Sequence, residues 1–193
     1  MKKINLKCEG MDLFFDEKTI ARFRKTEAIL RKQLPEDIES ILTIGAWNKF
    51  DEGICQSFTK LHAWRDEDFN YNCLHYKGDY DYVFCFDVFE HLMNPLLFLD
   101  NLRRMNTPVV ITYPRHPFTP FWGLEHFHEY SEKAFYTLIS EADFEIEYHT
   151  SYTIRYGWWR YFRGFRTVAR LVFLMLGYPK EELYILKPRE RDA

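Results

Sequence analysis

Apolar and polar positions along this chain change repeatedly between a strand-like and a helix-like period. A helical period over about residues 17–34, stopped by Pro35, predicts the first helix. The apolar run Ile41–Gly45 follows and predicts a buried strand closed by glycine. The same alternation continues almost to the end of the chain, and it is the basis of the predicted fold.

The remaining elements follow from the same periods. Strands are predicted at residues 80–86, 108–113, 144–152 and 183–186, with weaker strand candidates at 61–64 and 73–76. Helices are predicted at residues 92–105, 131–142 and about 158–176. Strands that alternate with helices indicate an α/β fold with a mostly parallel, Rossmann-like sheet. Because such sheets bind ligands beyond the carboxyl ends of their strands, we expect the site just after Ile44, Phe86 and Tyr113.

Composition bounds the class of protein. The 193 residues, 47% of them hydrophobic, fit one domain spanning residues 1–193. A net charge of −3 argues against nucleic acid as a partner. The four cysteines lack zinc-site spacing, and we expect buried, reduced thiols. No signal peptide or membrane-spanning run is apparent, so we expect a cytoplasmic protein that is soluble or peripheral to a membrane.

Four segments carry a family resemblance. The segment Tyr82–Pro95 resembles the fourth strand and "D-V-x-E-H-x-x-x-P" turn of the methyltransferase type-11 group, among the class I S-adenosylmethionine-dependent methyltransferases. Val110–Pro114 is similar to that family's fifth strand and His126–Ser131 to its "H-x-H-x-[YF]-[ST]" stretch, while Leu183–Pro188 is similar to its last strand. The resemblance covers about residues 20–188. It implies a seven-stranded sheet with an antiparallel last strand, and S-adenosylmethionine as the cofactor.

The cofactor loop departs from the family pattern. The family's "D-x-G-x-G" corresponds here to a stretch in which Thr43 replaces the acid and Trp47 replaces the second glycine. The resemblance still assigns Gly45, Ala46 and Trp47 to the cofactor, although an indole would tend to fill space that the cofactor's methionine portion requires. This makes a cofactor-free methyltransferase-like domain, acting as a partner-binding or membrane-peripheral adaptor, the alternative to an enzyme.

Other cofactor contacts are implied less directly. Phe86 and Asp87 follow the fourth strand of the family pattern and are assigned to the cofactor. Only about 35 residues separate the first strand from the fourth, which leaves little room for the usual intervening helix. The ribose-binding carboxylate therefore has only a weak counterpart, for which Asp66 or Glu67 is the best candidate.

Glu90, His91 and His128 are the candidate catalytic residues. Asp87, Glu90 and His91 share one face if their turn is helical, as an acid/base group or a metal cluster would require. Alternatively, Glu90 only caps the helix or pairs with His91. An imidazole near the methyl acceptor could take its proton, and we prefer His128 to His126 for this role. We assign no metal ion.

A basic segment lies near the end of the chain. Within about residues 155–176, Arg160, Arg163, Arg166 and Arg170 fall on one helical face, with apolar side chains opposite. Such a helix can contact a membrane surface or an anionic, lipid-linked acceptor. The alternative is a helix packed on the sheet with a solvated arginine face. Taken together, these features predict methyl transfer to a small-molecule or lipid/glycan-linked acceptor.

Overall fold

A computed structural model describes residues 17–45, 49–59, 61–65, 79–115, 126–153 and 180–190. The strands are β1 (Ser40–Ile44), β2 (Leu61–Arg65), β3 (Tyr82–Phe86), β4 (Val109–Arg115), β5 (Phe144–Thr153) and β6 (Lys180–Pro188). The helices are α1 (Glu17–Gln33), α2 (Lys49–Phe58), α3 (Pro95–Arg104) and α4 (Glu132–Glu141), with a 3₁₀ turn at Phe89–His91. Among these helices, none has the length and apolar character needed to cross a bilayer.

The strands form one mixed sheet in the order β2-β1-β3-β4-β6-β5. The first four strands are parallel, whereas β6 runs antiparallel to both β4 and β5. The α/β prediction and the antiparallel last strand are confirmed. Six strands are formed by the described residues, so the predicted count of seven is not confirmed.

Helices cover both faces of the sheet. In β3, Val83 and Cys85 pack into the core beneath α3 and α4, whereas Phe84 and Phe86 pack into the core beneath α1 and α2. All four side chains are buried. This alternation puts successive residues of a strand into opposite cores, as the period of two requires. A parallel sheet buried on both faces explains why its strands appear in the sequence as continuous apolar runs.

Helix α2 was missed by the sequence periodicity and corrects the expectation of little room after the first strand. It begins at Lys49, a few positions after the end of β1, and it contains Gly53, which weakens the helical signal. A Cβ atom at position 53 would lie 2.7 Å from Phe23 Cε2 of α1. Gly53 therefore permits the close approach of α1 and α2, and tertiary packing outweighs its low helix propensity.

The other predicted elements that lie within the described residues agree with the structure within a few residues at each end. The predicted helix at 17–34 is α1, and the weak strand candidate at 61–64 is β2. The candidate strand at 73–76 and the basic helix at about 158–176 lie outside the described residues.

Candidate functional site

The sheet order defines a crevice between the ends of β1 and β3. From β1 the chain passes through α2 to β2 on one side, and from β3 it passes through α3 to β4 on the other. Strand order reverses at this point, which is where open α/β sheets bind their ligands. Gly45 leaves β1 here, and the Phe86–Val88 segment leaves β3.

Gly45 has a backbone conformation that suits glycine alone. Its φ angle is 136°, and a Cβ atom at this position would lie 2.8 Å from Val88 Cγ2. Both the left-handed backbone and the close packing exclude larger residues. The two turns that border the crevice are therefore in contact, as the predicted cofactor loop requires of its first glycine.

The other predicted cofactor residues differ in placement. The Phe86 side chain is buried and lies edge-on to Phe50, with ring centroids 5.6 Å apart, so only its main chain can contribute to the crevice. Thr43, in place of the family's acid, shares a hydrogen bond of 2.9 Å with Cys55 Sγ of α2. Its hydroxyl therefore supports α2 and not the loop. Ala46, Trp47 and Asp66 lie outside the described residues.

Asp87 belongs to an ion-paired group that we call the arginine cluster: Arg22, Asp51, Asp87 and Glu181. Both carboxylate oxygens of Asp87 accept hydrogen bonds from the Arg22 guanidinium, which also donates to Glu181. The guanidinium lies 4.5 Å from the centroid of the Phe50 ring. Charge-assisted bonds from one planar fork, combined with stacking on an aromatic ring, fix its position. Arg22 thus ties α1 to the carboxyl edge of the sheet.

The arginine cluster holds more carboxyl groups than positive charge. Burial raises the pKa of Asp51 to about 8, and the negative charge of Asp87 adds to the shift. Burial and Asp87 likewise raise the pKa of Glu181 to about 8, although Arg22 opposes the shift. Burial disfavours the Arg22 cation, but Asp87 and Glu181 outweigh it and raise its pKa. Near neutral pH this cluster therefore retains protons that exposed carboxyl groups would have lost.

The expectation that Asp87, Glu90 and His91 share a helical face is wrong. Asp87 adopts a left-handed conformation with a φ angle of 55°, and the 3₁₀ turn begins only at Phe89. Asp87 N–H donates to the Thr112 carbonyl oxygen at 3.0 Å, as a continuation of the sheet. The positive φ breaks the helical path, so Asp87 joins the arginine cluster while Glu90 and His91 take part in a second group.

That second group we call the histidine cluster: Glu90, His91, His126 and Glu129. One ligand-type atom from each of Glu90, His91 and His126 lies within 4.8 Å of the others. The two imidazole rings meet edge to face, with centroids 4.9 Å apart. His126 Nδ1 lies 3.1 Å from Glu129 Oε1. The cluster therefore unites residues from the 3₁₀ turn with residues from the segment that precedes α4.

Glu90 is the buried acid of the histidine cluster. Its side chain is 2% exposed, and its Oε2 atom has no hydrogen-bond partner among the described residues. Burial raises its pKa well above the usual value, and the charge of Asp87 adds to this effect. A carboxyl group with a raised pKa beside two imidazoles is suited to acid/base chemistry.

His128 lies beside the histidine cluster. Its ring stacks on Tyr130 with centroids 5.5 Å apart, and its Nε2 atom is buried without a hydrogen-bond partner in the described part of the chain. Its main-chain N–H donates to the Glu90 carbonyl oxygen at 3.2 Å. The structure thus brings His126, rather than the preferred His128, into the group with Glu90 and His91.

Sequence reasoning missed Arg22, Asp51 and Glu181. Arg22 is one of many basic residues in α1, and its partner Glu181 lies 159 positions away. Asp51 lies in the unpredicted helix α2. No local pattern distinguishes Arg22 or Asp51 from solvated surface residues. The one available signal is the adjacent pair Glu181–Glu182 at the start of an apolar strand, where buried acids need partners.

Solved structures share this fold. No protein-family model and no curated protein matches the sequence. Magnesium protoporphyrin IX methyltransferase from Synechocystis, with bound S-adenosylhomocysteine, aligns with a TM-score of 0.57 and 10% identity over 95% of this chain and 91% of its own. An S-adenosylmethionine-dependent methyltransferase from Clostridium acetobutylicum aligns with a TM-score of 0.55 and 8% identity. That alignment covers 91% of this chain and 93% of the other.

A third similar structure contains two ligands. Phosphoethanolamine N-methyltransferase 2 from Haemonchus contortus, in complex with phosphomonomethylethanolamine and S-adenosylhomocysteine, has a TM-score of 0.60 and 10% identity. The alignment covers 86% of this chain and 53% of that one. The chain therefore has the fold of class I S-adenosylmethionine-dependent methyltransferases. At such low identity the fold is shared, while the activity has to be argued from the site.

Proposed function

We propose that this protein transfers a methyl group from S-adenosylmethionine to a small-molecule or lipid/glycan-linked acceptor. The observation that carries the proposal is the Gly45 turn, which meets Val88 at the point where strand order reverses. A glycine with positive φ allows the main chain to approach a ligand closely. Similar folds that hold S-adenosylhomocysteine support the same choice of cofactor.

The cofactor would lie against the main chain at the crevice. In this proposal Gly45, Ala46 and Trp47 border it on the β1 side, and the main chain of Phe86 and Asp87 borders it on the β3 side. The ribose-binding carboxylate would come from Asp66 after β2. When bound, the cofactor supplies an activated methyl group, so the protein has mainly to position the acceptor.

The acceptor would lie on the side of Glu90, His91 and His128. An acceptor that carries a proton on its nucleophilic atom needs a base, which imidazole or a buried carboxylate can provide. The predicted basic face with Arg160, Arg163, Arg166 and Arg170 would favour an anionic acceptor or a peripheral membrane contact. These residues complete the proposal for a cytoplasmic enzyme of the type-11 group.

Calorimetry with S-adenosylhomocysteine tests the cofactor part. We expect saturable binding in the micromolar range, about −8 kcal/mol. Gly45→Ala should weaken binding at least tenfold, because its Cβ closes the crevice against Val88. Ser131→Ala, which removes the N-cap of α4, is the matched control and should leave the affinity unchanged. Absence of binding at millimolar ligand would exclude the proposed function.

A second candidate function is a methyltransferase-like domain that binds no cofactor and acts as an adaptor. The observation in its favour is Arg22, whose guanidinium already occupies both carboxylate oxygens of Asp87 at the crevice. If neither the wild type nor Arg22→Met binds S-adenosylhomocysteine, the adaptor is favoured. If only Arg22→Met binds it, the site is intact but closed by α1.

A further inference from the structure

The histidine cluster has the composition of a transition-metal site. We propose that Glu90, His91 and His126 bind one divalent first-row transition-metal ion, such as Zn²⁺ or Co²⁺. Two imidazoles with one carboxylate are a common ligand set for these ions, whereas Mg²⁺ and Ca²⁺ prefer oxygen ligands alone. The sequence alone did not lead us to assign a metal, because His126 lies 35 positions after His91 and only the fold brings it to the pair.

The spacing of the three ligand atoms suits a shared ion. Atoms bound to one ion at about 2.1 Å lie about 3–3.5 Å from one another. The three atoms here lie within 4.8 Å of one another. The difference is at most about 1–2 Å, and rotation about side-chain bonds is a movement of that size. The site is therefore close to preorganised.

The two segments that carry the ligands are fixed to each other. Phe127 N–H donates to the Glu90 carbonyl oxygen at 2.7 Å, and His128 N–H donates to the same oxygen at 3.2 Å. These bonds hold the His126 segment against the 3₁₀ turn. Such a rigid frame limits the entropy that binding has to overcome.

A second carboxylate orients His126. His126 Nδ1 lies 3.1 Å from Glu129 Oε1, and the tautomer that carries its proton on Nδ1 donates this hydrogen bond. The lone pair of the imidazole then lies on Nε2, the atom available to a metal. Glu129 is itself 5% exposed. A histidine held by a buried carboxylate is the usual outer arrangement around a bound metal.

The buried carboxyl group of Glu90 is the independent observation. Its Oε2 atom is buried and has no hydrogen-bond partner among the described residues. A buried acceptor without a partner is costly, and native structures normally satisfy it. A metal ion would satisfy it directly, and it would also explain why a glutamate is buried beside two imidazoles.

The role of the ion rests on the proposed function. Three protein ligands leave at least one coordination position for water or another oxygen. An acceptor hydroxyl bound there would pass its proton to a base such as the His128 imidazole more readily, since the cation stabilises the oxyanion. The oxygen would then take the methyl group of S-adenosylmethionine, and S-adenosylhomocysteine would leave. The substrate class that this favours is an acceptor with a hydroxyl group, methylated on oxygen.

Cobalt titration of the full chain tests the site. Metal-free protein is titrated with CoCl₂, and both the heat and the visible d–d absorption are recorded. We expect one Co²⁺ per chain and a d–d spectrum of four- or five-coordinate cobalt with nitrogen and oxygen ligands. Glu90→Gln and His126→Ala should each weaken binding at least 100-fold. Glu129→Gln should weaken it about tenfold.

Controls separate this site from other binding. His149→Gln changes an imidazole that contacts Glu182 and Tyr136 instead, and its Co²⁺ affinity should equal that of the wild type. Circular dichroism of each variant confirms that it folds. No saturable binding at millimolar Co²⁺, wild-type affinity in both Glu90→Gln and His126→Ala, or a thiolate charge-transfer band would each overturn the proposal.

The cofactor is tested separately, with S-adenosylhomocysteine in the presence of a chelator. Cobalt binding without S-adenosylhomocysteine binding would retain the metal site and exclude the methyltransferase. The reverse result would retain the methyltransferase and exclude the metal.

Discussion

The arginine cluster and the histidine cluster lie at the same edge of the sheet but hold their buried carboxyl groups in different ways. In the arginine cluster a guanidinium bonds two carboxylates directly, and α1 supplies it. In the histidine cluster Glu90 keeps a buried oxygen that has no hydrogen-bond partner in the described ranges of the chain. Asp87 and Glu90 are only three residues apart. The comparison shows that one turn of the chain can supply both a structural ion pair and a chemically available acid.

Removal of the guanidinium should have the largest effect on stability. Arg22→Met leaves the buried Glu181 and the partly exposed Asp87 without their positive partner, and we expect a loss of about 3 kcal/mol in the free energy of unfolding. Urea denaturation measures it. Arg104→Met in α3 is the matched control, because both side chains of its pair with Asp100 are exposed. That variant should lose less than about 1 kcal/mol. Equal losses would contradict the structural role of Arg22.

A smaller loss is expected where the two clusters meet. Gly45→Ala places a side chain at a φ angle of 136° and against Val88, which lies between Asp87 and Glu90. Strain of this kind costs about 1–3 kcal/mol. The double variant Gly45→Ala/Val88→Ala relieves the contact but not the backbone, so part of the loss should remain. Thermal unfolding measures both, and wild-type stability in Gly45→Ala would contradict the described turn.

The arginine cluster should also make the stability of the protein depend on pH, through Asp51. Asp51 has a pKa of about 8 in the folded protein and about 3.9 when unfolded. The folded state therefore binds the extra proton, and its stabilising contribution is full below pH 4 and is lost as pH rises through about 8. One proton gives a slope of at most about 1.4 kcal/mol per pH unit.

Asp51→Asn is the variant that reports this effect. Its free energy of unfolding should fall less steeply between pH 5 and pH 8 than that of the wild type, as measured by urea denaturation at several pH values. Asp100→Asn, which changes an exposed carboxylate on α3, is the control and should keep the wild-type slope. If the free energy of unfolding of Asp51→Asn fell more steeply with pH than that of the wild type, the pKa of Asp51 would not be raised in the folded protein.

The smallest effect is expected at Glu90. In buffer with a chelator, Glu90→Gln should change the free energy of unfolding by less than about 1 kcal/mol, because burial already favours the neutral carboxyl group. Asp87→Asn is the matched variant across the turn. It should cost more, since it weakens the bonds to Arg22. If both variants lowered the free energy of unfolding equally, Asp87 and Glu90 would not differ in their contribution to stability, which would contradict the comparison of the two clusters.

The fold was largely predictable because its strands are local apolar runs. The residues from Tyr82 to Phe86 form β3 because they are a local run of apolar and aromatic side chains, and β4 likewise begins as a local apolar run. Helix α2 was not predictable in this way, because Gly53 lowers the helical tendency of the segment. Gly53 is suited to this position because it lets Phe23 of α1 pack closely, which is a tertiary contact. The structure adds what tertiary packing decides.

The site was predictable only where its residues are neighbours on the chain. Glu90 and His91 are adjacent, and the sequence made both of them candidates. Asp87 and Arg22 are 65 positions apart, and side-chain pairs between distant segments leave no local pattern. The positive φ at Asp87 was equally hidden, although it decides which cluster the carboxylate joins.

The central claim is that the crevice between β1 and β3 binds the cofactor. The most direct test is a crystal structure of the protein crystallised with millimolar S-adenosylhomocysteine. We predict ligand density in the crevice between the Gly45 turn and the Phe86–Val88 segment, with Glu90 and His126 on the acceptor side. Crystals that show this crevice without ligand, or with the ligand bound elsewhere, would contradict the account.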